Sequence, residues 1–135
     1  MKCLFMVAVC TALAAGTAYA HQDHKQAAKQ AAPFKPSTQQ VTVTGEIVDP
    51  QCWFTHDGQG AKHRSCAVLC ARGGQDLAIL DSTTGRLYSI LGAGHGVDPN
   101  KNLLDHVAVP VRIKGTVYTR GPNQAIVLQS VVPLK

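Results

Sequence analysis

The sequence has no apolar run long enough to cross a membrane and none of the short cysteine motifs that mark haem or iron–sulfur proteins. Its longest apolar stretch, residues 3–15, is shorter than the roughly 20 residues that a membrane-spanning helix needs. No Cys-x-x-Cys-His sequence occurs, which excludes covalent c-type haem. The cysteine spacing does not match the usual iron–sulfur runs either. No Ser-His-Asp arrangement can be argued from the spacing, so the sequence names no reaction.

Residues 1–20 are a predicted secretory signal peptide. Lys2 provides a positive n-region, residues 3–15 an apolar h-region, and the small-x-small sequence that ends at Ala20 a cleavage site. A polar stretch follows, so we interpret the segment as a cleaved signal and not as a membrane span. We therefore predict a periplasmic or secreted protein. Removal of one Lys and no acidic residue lowers the formal charge from +5 to +4, a mild excess that we attribute to solubility.

The rest of the chain divides into a tether and one domain. Residues 21–40 are rich in Gln, Ala, Lys and Pro and contain one aromatic residue, so they cannot bury enough apolar surface to order themselves. We predict a flexible tether there and a single domain over residues 41–135, without internal repeats. Alternating β-branched and apolar segments, separated by turn residues, predict five strands in this domain. The predicted strands are residues 41–48, 77–80, 86–91, 109–118 and 125–132.

This order of elements predicts an all-β fold, a five-stranded OB-fold-like Greek-key barrel. One or two helical turns are predicted between the third and fourth strands, at residues 102–107. A longer helix is predicted over residues 61–72, with Gly73 and Gly74 as its stop. It forms an insertion between the first and second strands. A small β-sandwich, which has a similar strand count, is the alternative fold.

Three cysteines stay in the chain after signal removal, an odd number for an oxidising compartment. Cys66 and Cys70 share one face of the predicted helix with His63, because positions i, i+3 and i+7 recur on the same side of a helix. Cys52 and His56 lie upstream, where the chain leaves the first strand, and folding of the insertion over the barrel brings them near. Thiolates and imidazoles bind zinc, and they also suit copper(I). The sequence thus predicts that Cys52, His63, Cys66 and Cys70 bind copper or zinc, with His56 as the substitute or fifth ligand.

Two other uses of the cysteines stay open. A disulfide from Cys52 to Cys66 or Cys70 would pin the insertion to the first strand, as in a non-catalytic module that binds another envelope protein. A thiol redox partner would need a cysteine of lowered pKa, and Cys66 or Cys70, beside His63 and Arg64, is the candidate. OB-folds often bind single-stranded nucleic acid through aromatic side chains, but export argues against a nucleic-acid partner.

The stretch from Gly45 to Gly74 carries the pattern G-E-I-V-D-x-x-C, followed by H-R-x-C-A-x-x-C-x-x-G-G. The matching residues are Gly45, Glu46, Val48, Asp49, Cys52, His63, Arg64, Cys66, Ala67, Cys70, Gly73 and Gly74. This pattern resembles that of a group of exported bacterial proteins of uncharacterised function, and the resemblance extends from residue 43 to about residue 132. Trp53 stands where Tyr is commoner in the group, and residues 59–62 form a slightly different loop. The resemblance implies no activity, but it implies that His63 accompanies the cysteines, which favours a metal over a simple disulfide.

Overall fold

The computed structural model describes residues 36–135, in which five strands and two short helices follow one another. Single 3-10 turns precede the second helix and the fourth strand. The predicted signal peptide and residues 21–35 of the predicted tether lie outside the described residues. The elements are β1 (Ser37–Val48), α1 (Pro50–His56), the 3-10 turn Ala61–His63, α2 (Arg64–Arg72), β2 (Ala78–Asp81), β3 (Leu87–Leu91), the 3-10 turn Leu104–His106, β4 (Pro110–Arg120) and β5 (Asn123–Pro133).

The five strands close into a barrel with the order β1-β2-β3-β5-β4, and β4 returns to β1. The pair β3–β5 is parallel, and the other four pairs are antiparallel. The 3-10 turn before β4 lies where one or two helical turns were predicted. The order, the closure and the helical insertion between β1 and β2 confirm the predicted OB-fold-like barrel.

β1 begins at Ser37, four residues before the predicted start at Val41. The extra residues pair with the far end of β4, from Ser37 opposite Thr119 to Gln40 opposite Thr116. Gln40 also donates a side-chain hydrogen bond to the Thr116 hydroxyl, at 2.8 Å. A neighbouring strand therefore orders a polar segment whose own composition provides little apolar surface to bury.

The core fills the barrel because inward and outward side chains alternate along the strands. In β4, Val111, Ile113 and Val117 are buried, whereas Arg112 and Lys114 between them are exposed. The helical insertion covers part of this core through two buried alanines of α2. The core side chains are Val43, Ile47, Ala67, Ala71, Leu77, Ile79, Tyr88, Ile90, Leu103, Val107, Ala108, Val111, Ile113, Val117 and Ile126.

The hairpin between β2 and β3 is closed by the buried carboxylate of Asp81. Its Oδ1 accepts a hydrogen bond from the Thr83 amide at 2.8 Å, and its Oδ2 accepts one from the Thr84 hydroxyl at 2.6 Å. Burial alone would raise the pKa of Asp81, but these hydrogen bonds outweigh burial and hold the pKa below its ordinary value. The folded hairpin therefore favours the ionised carboxylate.

We expect Asp81→Asn to destabilise the domain at neutral pH by about 1 kcal/mol, the usual contribution of such a hydrogen bond. Because the folded-state pKa is lowered, the stabilisation is present above the unfolded-state pKa of about 3.9 and is lost as the pH falls through the folded-state pKa. Urea unfolding at several pH values should show a smaller loss of stability on acidification in the variant. Ser82→Ala, at an exposed neighbour, is the control. Equal acid sensitivity of Asp81→Asn and the wild type would contradict this role.

Candidate metal centre

Cys52 and His56 lie on helix α1, which was not predicted; the sequence placed them only where the chain leaves the first strand. Asp49 caps the helix, since its Oδ1 accepts hydrogen bonds from the amides of Gln51 at 2.8 Å and Cys52 at 3.4 Å. Pro50 occupies the first turn, where a missing N–H is not needed. The sequence predicts the end of the first strand here, with Asp49 capping a turn at Pro50, and it predicts no helix. An Asp followed by Pro is also a helix-start signal, and it is the signal that would have found α1.

The second helix agrees with its prediction except in its first turn. The predicted helix over residues 61–72 begins as the 3-10 turn Ala61–His63 and continues as α2 to Arg72, where Gly73 caps it. Gly74 follows with φ +100°, a backbone conformation that favours glycine. His63 is the last residue of the 3-10 turn, and its ligand atom groups with those of Cys52 and His56 and not, as predicted, with those of Cys66 and Cys70.

Three cysteine sulfurs converge at the junction of the two helices. The Sγ atoms of Cys52, Cys66 and Cys70 all lie within 4.8 Å of one another, and those of Cys52 and Cys66 are 3.8 Å apart. All three are free thiols. With Zn–S bonds of about 2.3 Å, a tetrahedral ion holds two sulfurs about 3.8 Å apart. The separation of Cys52 and Cys66 therefore fits two ligands of one metal ion.

Two imidazoles, those of His56 and His63, lie close to the Cys52 sulfur. The ligand atoms of Cys52, His56 and His63 lie within 4.8 Å of one another, and the two ring centroids are 5.2 Å apart. The Nδ1 of His56 and the Thr55 hydroxyl are hydrogen-bonded at 2.7 Å, which orients the ring as outer partners of metal-binding histidines do. The structure thus brings all five predicted residues to one place, with the Cys52 sulfur common to both groups.

Two buried polar atoms at this junction lack a hydrogen-bond partner among residues 36–135. They are Oδ2 of Asp49 and Nε2 of His63. Unpaired buried polar atoms are rare in native structures and call for an explanation, such as a bound ion. Gly58 lies against the same atoms, because a Cβ there would stand 2.7 Å from the Cys52 Cβ and 2.7 Å from His63 Nε2. Gly58 is not among the predicted site residues, and no signal in the sequence marks it.

The Asp49 carboxylate sets the electrostatics of two of the thiols. Burial alone would raise the pKa of Asp49, but the neighbouring thiols of Cys52 and Cys70 and the two backbone amides that donate to Oδ1 hold it below its ordinary value. Burial, followed by the same carboxylate, raises the pKa of Cys52 to about 12. The neighbouring Asp49 carboxylate also raises the pKa of Cys70. These two thiols are protonated at neutral pH, and a cation must displace their protons in order to bind.

The redox hypothesis placed Arg64 beside Cys66 and Cys70, but the Arg64 guanidinium is hydrogen-bonded to backbone oxygens and not to a thiol. Its guanidinium donates to the backbone oxygen of Val107, and also to those of Asp105 at 3.2 Å and Leu104 at 3.4 Å. The amide of Gly60 donates to Oε1 of Glu46 on β1. These bonds tie the insertion to β1 and to the segment before β4, so their role at the site is to position the two helices.

No helix among residues 36–135 is long and apolar enough to cross a membrane.

The resemblance of the cysteine pattern to a group of exported bacterial proteins stays a prediction. Comparisons with protein-family models, with curated proteins and with solved structures found nothing that matches this chain.

Proposed function

We propose that this protein is exported and binds a transition-metal ion, copper or zinc, through Cys52, His56, His63, Cys66 and Cys70. The observation that carries the proposal is the convergence of these five ligand side chains on the Cys52 sulfur from two helices and a 3-10 turn. Thiolate and imidazole together form the usual ligand set of zinc and also suit copper. The N-terminal sequence supports export, to the periplasm or beyond the cell. There a metal would hold together three thiols that otherwise oxidise.

The unpaired polar atoms give independent support. A cation next to the thiolates would be attracted by the buried Asp49 carboxylate, and a metal ligand role would satisfy His63 Nε2. The exposure of Cys66 and the partial exposure of Cys70 give an ion a route to the cluster. This accessibility suits a carrier or sensor better than a closed structural site.

The test is a free-thiol count combined with elemental analysis on the full chain, expressed with its own signal and purified from the periplasm. We expect at least one equivalent of copper or zinc, and three protected thiols that become reactive after chelation. Cys66→Ser and His63→Ala should each lower the metal content. Protein that carries neither metal, before or after incubation with its salts, would refute the proposal.

A disulfide-braced interaction module is the second candidate, favoured by the 3.8 Å between the Cys52 and Cys66 sulfurs. It predicts one free thiol and no metal in the same assay. It also predicts that His63→Ala changes nothing, whereas Cys52→Ser removes a bridge usually worth about 2–4 kcal/mol. The third candidate, thiol redox exchange, needs a lowered thiol pKa, and the raised pKa values of Cys52 and Cys70 count against it.

A further inference from the structure

The five ligand side chains form two groups of three and not one group of five. The first group is the sulfurs of Cys52, Cys66 and Cys70, and the second is the Cys52 sulfur with nitrogens of His56 and His63. Within the described residues, no imidazole nitrogen lies within 4.8 Å of all three sulfurs. The two groups therefore meet only at Cys52.

This division does not suit a single zinc ion with three thiolates and one imidazole. In a tetrahedral site with the usual zinc bond lengths, every pair of ligand atoms is about 3.4–3.8 Å apart. The pair Cys52 and Cys66 meets this condition, but neither histidine approaches both Cys66 and Cys70 closely. One ion that used all the sulfurs and a histidine would require the two helices to move.

Each group is a complete ligand set for copper(I). Three thiolates without a fourth ligand form a soft, three-coordinate site, and soft sulfur ligands select copper(I). One thiolate with two imidazoles is a second three-coordinate set, and imidazole also suits copper. Each group has a member that reaches solvent at least in part, Cys66 in the first group and His56 in the second. An ion can therefore reach either group without passing through the other.

The negative charge of the thiolates favours the binding of one copper(I) ion in each group. Three thiolates carry three negative charges, and the fully buried Asp49 side chain lies beside them and supplies no positive charge. One copper(I) ion neutralises only one of these charges, and uncompensated charge is costly to bury. A second copper(I) ion halves the negative charge that the first ion leaves on the three thiolates. Because Cys52 belongs to both groups, its thiolate is placed to bridge the two ions.

We infer that the cluster is a dinuclear copper(I) site, an inference that rests on the proposed function. One ion lies among Cys52, Cys66 and Cys70, the other among Cys52, His56 and His63, and the Cys52 sulfur bridges them. Binding replaces three thiol protons by two copper(I) ions, and the oxidation state of copper and sulfur does not change. The site would therefore take copper in the reduced, monovalent form.

The test is anaerobic titration of the reduced full chain with a copper(I)–acetonitrile salt, with stoichiometry read by native mass spectrometry. We expect two ions per wild-type chain and a short copper–copper path in X-ray absorption. His56→Ala should hold one ion with sulfur ligands only, and Cys66→Ser one ion with mixed sulfur and nitrogen ligands. His95→Ala, at an exposed histidine outside the insertion, is the matched control and should hold two ions.

The outcomes separate this inference from the proposed function. A single copper(I) ion in the wild type, without a copper–copper path, would overturn the dinuclear site and leave metal binding intact. A His56→Ala variant that still binds two ions would also overturn the dinuclear site and leave metal binding intact. A chain that binds neither copper(I) nor zinc would overturn both. Circular dichroism of each variant identifies a loss of folding, and the absorption spectrum of the wild type decides the case even if a variant fails to fold.

Discussion

Cys52→Ser should weaken metal binding more than any other single ligand substitution. The Cys52 sulfur is the only ligand atom shared by both groups, so its loss leaves two sulfurs on α2 and two imidazoles that are not held together. Outer partners of metal ligands alone contribute about 10- to 100-fold in affinity. We therefore expect a loss of more than about 100-fold, measured by competition with a chelator of known affinity.

The control for Cys52→Ser is Ser65→Ala, an exposed position on α2 next to Cys66. It should leave the affinity unchanged. Serine is close to cysteine in size, so the barrel should keep its circular dichroism spectrum and the affinity can be read on folded protein. A Cys52→Ser variant with an affinity equal to that of Cys66→Ser would show that Cys52 is not the shared ligand.

Gly58→Ala should damage the site although it removes no ligand. The new Cβ would stand 2.7 Å from both the Cys52 Cβ and His63 Nε2, distances at which atoms must move. Overpacking of this kind costs about 1–3 kcal/mol, and each kcal/mol lowers the melting temperature of a domain of this size by about 4–8 °C. We expect a lower melting temperature and weaker metal binding, because the His63 ring is displaced from Cys52.

Gly94→Ala is the matched control for Gly58→Ala. Its Cβ would meet nothing closer than a Val97 methyl group at 3.8 Å, an ordinary contact. Its melting temperature and metal affinity should equal those of the wild type. If Gly58→Ala behaves in the same way, then the close approach of Gly58 to the ligands does not constrain the site.

The barrel could be predicted because the alternation of residues within each strand shows which of its side chains are buried. In β4 the alternation from Val111 to Val117 shows directly which side chains face the core. The start of β1 was not predictable in this way, because Ser37–Gln40 are ordered by their pairing with β4 and not by their own apolar content. Propensity and periodicity are properties of one segment of the chain, whereas strand pairing also depends on a second segment that is distant in the sequence.

The candidate site was predictable in membership but not in arrangement. Cys66 and Cys70 lie one helical turn apart, so their common face follows from the sequence. The grouping of His63 with His56 depends on the 3-10 turn and on how α1 meets α2. That meeting is held by Glu46 and by Arg64, whose guanidinium reaches backbone oxygens about 40 residues further along the chain. A single sequence does not specify which distant carbonyl groups an arginine will bind.

The insertion is attached to the rest of the domain by two buried alanines of α2, by the bond from Asn100 to the Ala71 carbonyl, and by the Glu46–Gly60 and Arg64 bonds. The barrel, in contrast, is closed by continuous strand pairing all the way round. Proteins of this kind open locally at their weakly attached parts well before they unfold globally. Amides of α1 and α2 should then exchange with deuterium faster than those of β1 and β4. Such local opening would separate the proposed ligands while the barrel stays folded, and a bound ion would then leave without global unfolding.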